Sequence, residues 1–192
     1  MDEMTNICEP SAIKGISHDT EAHGFGMCSN TLVCSFLRTL VASKPNGKFL
    51  ELGSGTGLST AWILDGMSRN AQLTTIDNTP DLLNILRAHL GLDNQLTVVC
   101  ADGDEYIHEL KGKQFDLIFA DTWPGKYRLL PETLDLLNPG GLYIIDDMLH
   151  QPNWPEGHEE KVSALITFLE SSPGFKITKM AWASGVIVAT KV

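Results

Sequence analysis

Lys48-Phe49-Leu50-Glu51-Leu52-Gly53-Ser54-Gly55-Thr56-Gly57 is the stretch whose reading decides the fold. Its first half reads as a buried strand that runs into a glycine-rich turn. Leu58-Ser59-Thr60-Ala61-Trp62-Ile63-Leu64 then reads as the first turns of a helix. Glycine lets backbone approach a ligand closely, and the free N–H groups of a first helical turn point at it. Strand, turn and helix N-terminus together make a nucleotide cradle; the alternative is an ordinary glycine-rich turn. The spacing is not that of the dinucleotide fingerprint, whose third glycine stands one place later than Gly57.

Downstream, short apolar strands alternate with helical stretches. Strands are predicted at 73–77, 96–100, 115–120 and 142–145, with helices at 80–90, 104–110, 127–137 and 156–171. Upstream, Thr31 to Ala42 has helical periodicity with Leu32, Phe36, Leu37 and Leu40 on one face, and Ser29 or Asn30 is placed to cap it. Phe175–Met180 and Val186–Thr190 close the chain as a hairpin around Ser184-Gly185, too tight for a crossover helix and so antiparallel. The pattern predicts an α/β fold: a Rossmann-like, doubly wound, mostly parallel seven-stranded sheet with an antiparallel strand near its C-terminal edge. At 192 residues it reads as one domain, with residues 1–25 as an N-terminal extension or lid.

Composition narrows the function. A formal net charge of −10 argues against nucleic acid or an anionic membrane as partner, but not against a small cationic ligand. The cysteines, Cys8, Cys28, Cys34 and Cys100, form no C-x-x-C pair, and no zinc spacing occurs. Reduced thiols in a cytoplasmic protein are the simpler reading, with Cys34 and Cys100 as small core residues. The acidic, polar start is no signal peptide, and no apolar run approaches membrane-spanning length.

In a doubly wound sheet, ligands sit beyond the carboxyl ends of the strands. The residues just past each strand are therefore the site list. They are Gly53 to Ser59, Asp77-Asn78, Asp102-Gly103, Asp121-Thr122-Trp123 and Asp146-Asp147. Asp77 is placed to accept both hydroxyl hydrogens of a ribose, or to cap the helix at Pro80. Asp102 either accepts from an adenine amino group or caps the helix at Asp104. Glu51, beneath the turn, accepts backbone N–H groups or faces a cationic ligand. Asp121, Asp146 and Asp147 end neighbouring strands. Together they repel unless a cation joins them, which describes a magnesium-type site. Alternatively Asp146 and Asp147 point opposite ways, as strand neighbours do.

Gly53-x-Gly55-x-Gly57 preceded by Glu51 resembles motif I of the class I S-adenosylmethionine (SAM) methyltransferases. From about Gly26 to Thr190 the chain resembles the metal-dependent O-methyltransferases of the catechol and caffeoyl-CoA type. The matching segments are 49–53, Ile76-Asp77, 115–121 and 140–147, together with Asp121-Thr122-Trp123-Pro124-Gly125-Lys126-Tyr127. The resemblance implies that Glu51, Gly53, Ser54, Gly55, Gly57, Ser59, Asp77, Asn78, Asp102 and Gly103 line a SAM pocket, with Met27, Asp121 and Trp123 near it. It implies Asp121 and Asp146 as ligands of a divalent ion, Mg or Ca, with Asp147 where the family has Asn. The family's catalytic lysine falls at Pro124, so Lys126, His150 and His158 become candidates for its role. The loop from Met148 to His158, with Pro152, Trp154 and Pro155, either walls the acceptor pocket or packs structurally. The expected function is a SAM-dependent O-methyltransferase acting on a small-molecule hydroxyl with help from the metal, as a possible homodimer. Metal-free methyl transfer and a non-catalytic SAM-binding regulatory domain are the alternatives.

Overall fold

A computed structural model describes residues 7–151 and 154–192. The elements run α1 (Ile13–His23), α2 (Thr31–Ala42), β1 (Lys48–Leu52), α3 (Leu58–Gly66), β2 (Gln72–Asp77), α4 (Pro80–Leu90), β3 (Leu96–Cys100), α5 (Gly103–Glu109), β4 (Phe115–Ala120), α6 (Leu130–Asp135), β5 (Leu137–Ile145), α7 (His158–Glu170), β6 (Phe175–Met180) and β7 (Val186–Lys191). The sheet has seven strands in the order β3-β2-β1-β4-β5-β7-β6. β1 pairs in parallel with β2 on one side and β4 on the other, and β7 runs antiparallel to both β5 and β6. The connection therefore reverses direction beside β1, where an open α/β sheet leaves a crevice at its carboxyl rim.

Alternation along β1 sends its side chains to two cores. Leu50 and Leu52 join Ile118, Tyr143 and Ile145 on one face, while Phe49 joins Leu117, Phe119 and Ile144 on the other. Glu51 lies on the Phe49 face and is fully buried. Its Oε1 accepts from Ser59 Oγ at 2.6 Å, and its Oε2 accepts from Thr60 Oγ1 at 2.5 Å and Thr75 Oγ1 at 2.6 Å. Thr75 is its register partner on β2, and Ser59 and Thr60 open α3. One carboxylate thus joins β1, β2 and α3.

The glycine turn between β1 and α3 needs its glycines. Gly53 has φ of 92°, and a Cβ there would lie 2.9 Å from the Asp121 carbonyl oxygen. Gly57 has φ of 95°, and its Cβ would meet Leu86 Cγ at 2.8 Å.

Several boundaries differ from the sequence expectation. α1 forms a full helix in the N-terminal segment, burying Ile13 and Ile16 with Trp62, Leu83 and Leu86. Its Thr20 Oγ1 donates to Thr56 Oγ1 at 2.8 Å, which ties it to the glycine turn. α2 buries Val33, Cys34, Leu37 and Val41; of the predicted stripe only Leu37 is fully buried. Asn30 is its cap, accepting from the Leu32 N–H at 2.8 Å. α6 starts at Leu130, not Tyr127, because Tyr127 and Arg128 turn back to bond the Trp123 carbonyl and Pro131 sits in the first turn. β5 begins at Leu137, five residues early, through a register shift against β4 between Phe115 and Leu117. Cys100 is exposed, not a core residue, whereas Cys34 is buried. Among the described residues no helix is long and apolar enough to cross a membrane. The acidic start and Pro152 lie outside the described residues.

Replacing Glu51 with Leu strands three buried hydroxyls. At about 1–3 kcal/mol for each unsatisfied group, Glu51→Leu should lose at least about 3 kcal/mol in urea unfolding. Unchanged stability would remove Glu51 from its structural role.

Candidate active site at the carboxyl rim

The ends of β1, β2, β4 and β5 open into a cleft of about 530 Å³. Its floor is built from the glycine turn. The N–H groups of Gly53 and Ser54 both reach the Ile76 carbonyl, at 2.9 and 3.2 Å, so the turn is pinned to the end of β2. Asp77 Oδ2 accepts from the Gly55 N–H at 3.0 Å, and Oδ1 accepts from the Thr79 N–H at 2.9 Å. Asp77 therefore braces the turn and does not cap α4, whose cap position is Thr79. Ser54 Oγ is buried with no partner among the described residues, a polar atom left over at the cradle.

The predicted residues divide by place. Met27, Gly53, Ser54, Gly55, Ser59, Asp77, Asn78, Asp121 and Trp123 line the cleft. Asp102 and Gly103 line an adjoining recess of about 160 Å³ that shares Asp77, Asn78 and Trp123. Asp102 also caps α5, accepting from the Asp104 and Glu105 N–H groups at 2.9 and 3.2 Å. Glu51 and Gly57 line neither: Glu51 spends its oxygens on Ser59, Thr60 and Thr75, and Gly57 packs on Leu86.

Lys126 and His158 reach the cleft, but His150 does not. Its side chain is 69% exposed and pairs with Glu159 at 3.0 Å, so solvent and not the pocket surrounds it. His158 lies at the start of α7 with its ring 4.5 Å from that of Trp154, 5.1 Å from Tyr127 and 5.9 Å from Trp123. His158 Nε2 and Tyr127 Oη are 3.1 Å apart, and Nδ1 is buried without a partner among the described residues. Burial, then the charges of Lys126 and Lys161, hold His158 below the usual imidazole range, which keeps it neutral. Burial, then Asp147, pushes the Tyr127 phenol up, so it keeps its proton. Of the 148–158 segment, Gln151, Trp154 and Pro155 line the cleft together with His158. Tyr127 belongs to the Asp121–Tyr127 segment quoted for the resemblance but has no role assigned there, and Ser29 reads only as a cap candidate.

The three rim carboxylates do not gather into a metal site. Asp146 is 1% exposed and turns away from the cleft, while Asp147, at φ of 55°, faces it. Asp146 Oδ1 accepts from Ser184 Oγ and from the Asp147 N–H at 2.8 Å, which binds β5 to the loop before β7. Asp121 Oδ2 accepts from Ser29 Oγ at 2.7 Å. Among the described residues no three His, Cys, Asp or Glu side chains are placed to hold a metal ion. The donor set thus does not fit the divalent ion expected at Asp121, Asp146 and Asp147. A lysine stands among them: Lys126, 5% exposed, donates from Nζ to the Asp146 carbonyl at 2.6 Å. Burial lowers the Lys126 pKa, and the charges of Asp121, Asp147 and Asp146 oppose that fall. Burial, then Asp146, raises Asp121 well above the carboxylate range.

Residues 50–148 match the methyltransferase-domain family. The chain belongs to that family. A Mycobacterium avium protein provisionally named an O-methyltransferase is 32% identical over 115 residues, covering 57% of this chain and 52% of the relative. The chain thus spans about half the length of the curated relatives it matches first. The fold of the methyltransferase domain also recurs in solved structures. The O-methyltransferase from Bacillus cereus in complex with SAH superposes with TM-score 0.86 at 19% identity, covering 98% of this chain and 94% of that one. TomG, an O-methyltransferase of Streptomyces achromogenes in complex with SAM, superposes with TM-score 0.86 at 16% identity, covering 98% and 92%.

Burial pushes the Asp146 carboxyl up to about 6. The folded domain therefore holds this proton more tightly than the unfolded chain. That stability is fully present below the ordinary carboxylate range, about 4, and is lost as pH rises through about 6. Asp146→Asn keeps the shape without ionising. Its stability relative to the natural chain should rise between about pH 4 and pH 7 in urea unfolding. A pH-independent difference would contradict the assignment.

Proposed function

We propose that this methyltransferase domain transfers a methyl group from SAM to a hydroxyl oxygen of a small, flat molecule. The observation that carries the reading is the convergence at one rim of a braced glycine turn and an aromatic-walled cleft holding a neutral histidine. The family match, the naming of the relatives and the SAM or SAH held by the structural neighbours support it.

The residues fit SAM on this structure's own terms. The orphan Ser54 hydroxyl offers a hydrogen bond at the cradle. Asp77, at the end of β2, offers carboxylate lone pairs for ribose hydroxyls, and the recess at Asp102 and Gly103 gives room for a base. Glu51, in this reading, shapes the cradle from below without touching the ligand.

When bound, SAM supplies an electrophilic methyl: the S–CH3 bond breaks with its electron pair left on sulfur, and an O–CH3 bond forms. The chain's part is to hold the acceptor oxygen in line and take its proton. Trp123, Tyr127 and Trp154 wall a slot into which a flat acceptor slides. His158 lines the cleft with its Nε2 at Tyr127 Oη, and it is the group to receive the hydroxyl proton. His158, held neutral, is ready to do so at pH 7.

Asp77→Ala should weaken SAH binding by about 10- to 100-fold in calorimetry, the loss of hydrogen bonds to a charged acceptor. Unchanged affinity would count against the cradle. In a methyl-transfer screen over phenols, catechols and amines, His158→Ala should lower kcat by about 10²- to 10⁴-fold on any acceptor found. Because burial lowers the His158 pKa, wild-type kcat should rise with pH through a limb centred below the usual imidazole value and then level off. A profile still climbing through pH about 8 would assign the proton to another group.

A further inference from the structure

The acidic rim holds a cation of its own. Lys126 sits in the loop after β4, a segment folded back so that Lys126, Tyr127 and Arg128 all bond the Trp123 carbonyl through their N–H groups. This turn carries the Lys126 side chain inward beneath β5, where Nζ donates to the Asp146 carbonyl at 2.6 Å. Burying an ammonium is costly unless opposite charge surrounds it. Asp147 and Asp146 supply that charge, and the Asp146 carbonyl accepts from the ammonium. Lys126, Asp121 and Asp147 also line the cleft, beside the His158 end of the slot.

We propose that the Lys126 ammonium takes the electrostatic place of a divalent ion in this site, orienting the acceptor oxygen and steadying its negative charge, so that methyl transfer here proceeds without a metal. The proposal rests on the methyl-transfer reading of the same cleft.

One oxygen of Asp146 and one of Asp121 are already engaged, and Asp146 does not line the cleft. Asp146 faces Ser184 and the backbone, and Asp121 holds Ser29. A strongly hydrated divalent ion asks for several oxygens at close range and water besides, whereas an ammonium needs three acceptors. Nζ has one at the Asp146 carbonyl, which leaves two N–H groups for the cleft. An acceptor oxygen that gives up its proton to His158 gains negative charge, and a buried ammonium beside it is worth far more than an exposed one. The charge change is balanced: the proton moves to His158, the methyl to oxygen, and Lys126 keeps its own proton throughout.

The test is a Mn²⁺ titration of the full chain followed by electron paramagnetic resonance, with SAH binding measured calorimetrically on the same samples. Wild type should leave Mn²⁺ free at the rim up to about 1 mM, well above the affinity of a built carboxylate site. On any acceptor found by screening, EDTA-treated wild type should keep full turnover. Lys126→Met should lose about 100-fold in kcat, with SAH affinity intact and no recovery on adding Mn²⁺. One equivalent of bound Mn²⁺ that Asp147→Ala abolishes would overturn the proposal, as would turnover that EDTA removes and Mn²⁺ restores. Bound Mn²⁺ that survives both Asp121→Ala and Asp147→Ala lies elsewhere and leaves the proposal standing. Should Lys126→Met not fold, the wild-type titration and the Asp147→Ala arm decide alone. Failure of SAH to bind would sink the cofactor reading while leaving the metal question to the Mn²⁺ signal.

Discussion

Glu51 is the constraint on which the rest of the structure depends. A carboxylate with no exposure to water survives only if its lone pairs are filled, and three hydroxyls from two elements fill them. Burial still pushes its pKa up, against the pull of Ser59, Thr60 and Thr75. The arrangement sets where α3 starts relative to β1 and β2, and so sets the shape of the glycine turn between them. Asp77 then braces the same turn from above through the Gly55 N–H. With the turn held from both sides, the first residues of α3 face the cleft in a fixed position.

The chemistry gathers at that rim because parallel strands all end there. Asp77, Asp121 and the Asp146-Asp147 pair come from strands far apart in sequence, yet β2, β1, β4 and β5 stand side by side. Too many carboxylates in one place would be self-defeating. The domain separates them: Asp146 goes into the interior with Ser184, Asp121 bonds Ser29, and the Lys126 ammonium bonds the Asp146 carbonyl. Aromatic side chains from the β4–α6 loop and from the segment before α7 then pack around His158.

Much of this was legible in the sequence, for reasons that can be named. Strands buried on both faces read as short apolar runs, and a hairpin too short for a crossover had to be antiparallel, so a mostly parallel sheet with one antiparallel strand near its edge followed. The rim rule then put Gly53, Asp77 and Asp121 in one cleft. What escaped depended on tertiary geometry. Nothing local says that Ser59, Thr60 and Thr75 converge on Glu51, so a structural carboxylate passed for a ligand contact. Tyr127 and Arg128 read as the start of a helix until their N–H groups are seen to bond Trp123. Lys126 was a candidate by proximity in sequence, but its place among the acids depends on that turn. Asp146 and Asp147 could be told apart only once a positive φ at Asp147 had split them.

A crystal structure of the full chain grown with SAH and Mg²⁺ would test the central claim most directly. The account predicts SAH over the glycine turn, its ribose against Asp77 and its base in the recess at Asp102, with the Lys126 ammonium and no Mg²⁺ between Asp121 and Asp147. SAH bound away from the turn, with Asp77 untouched, would contradict it.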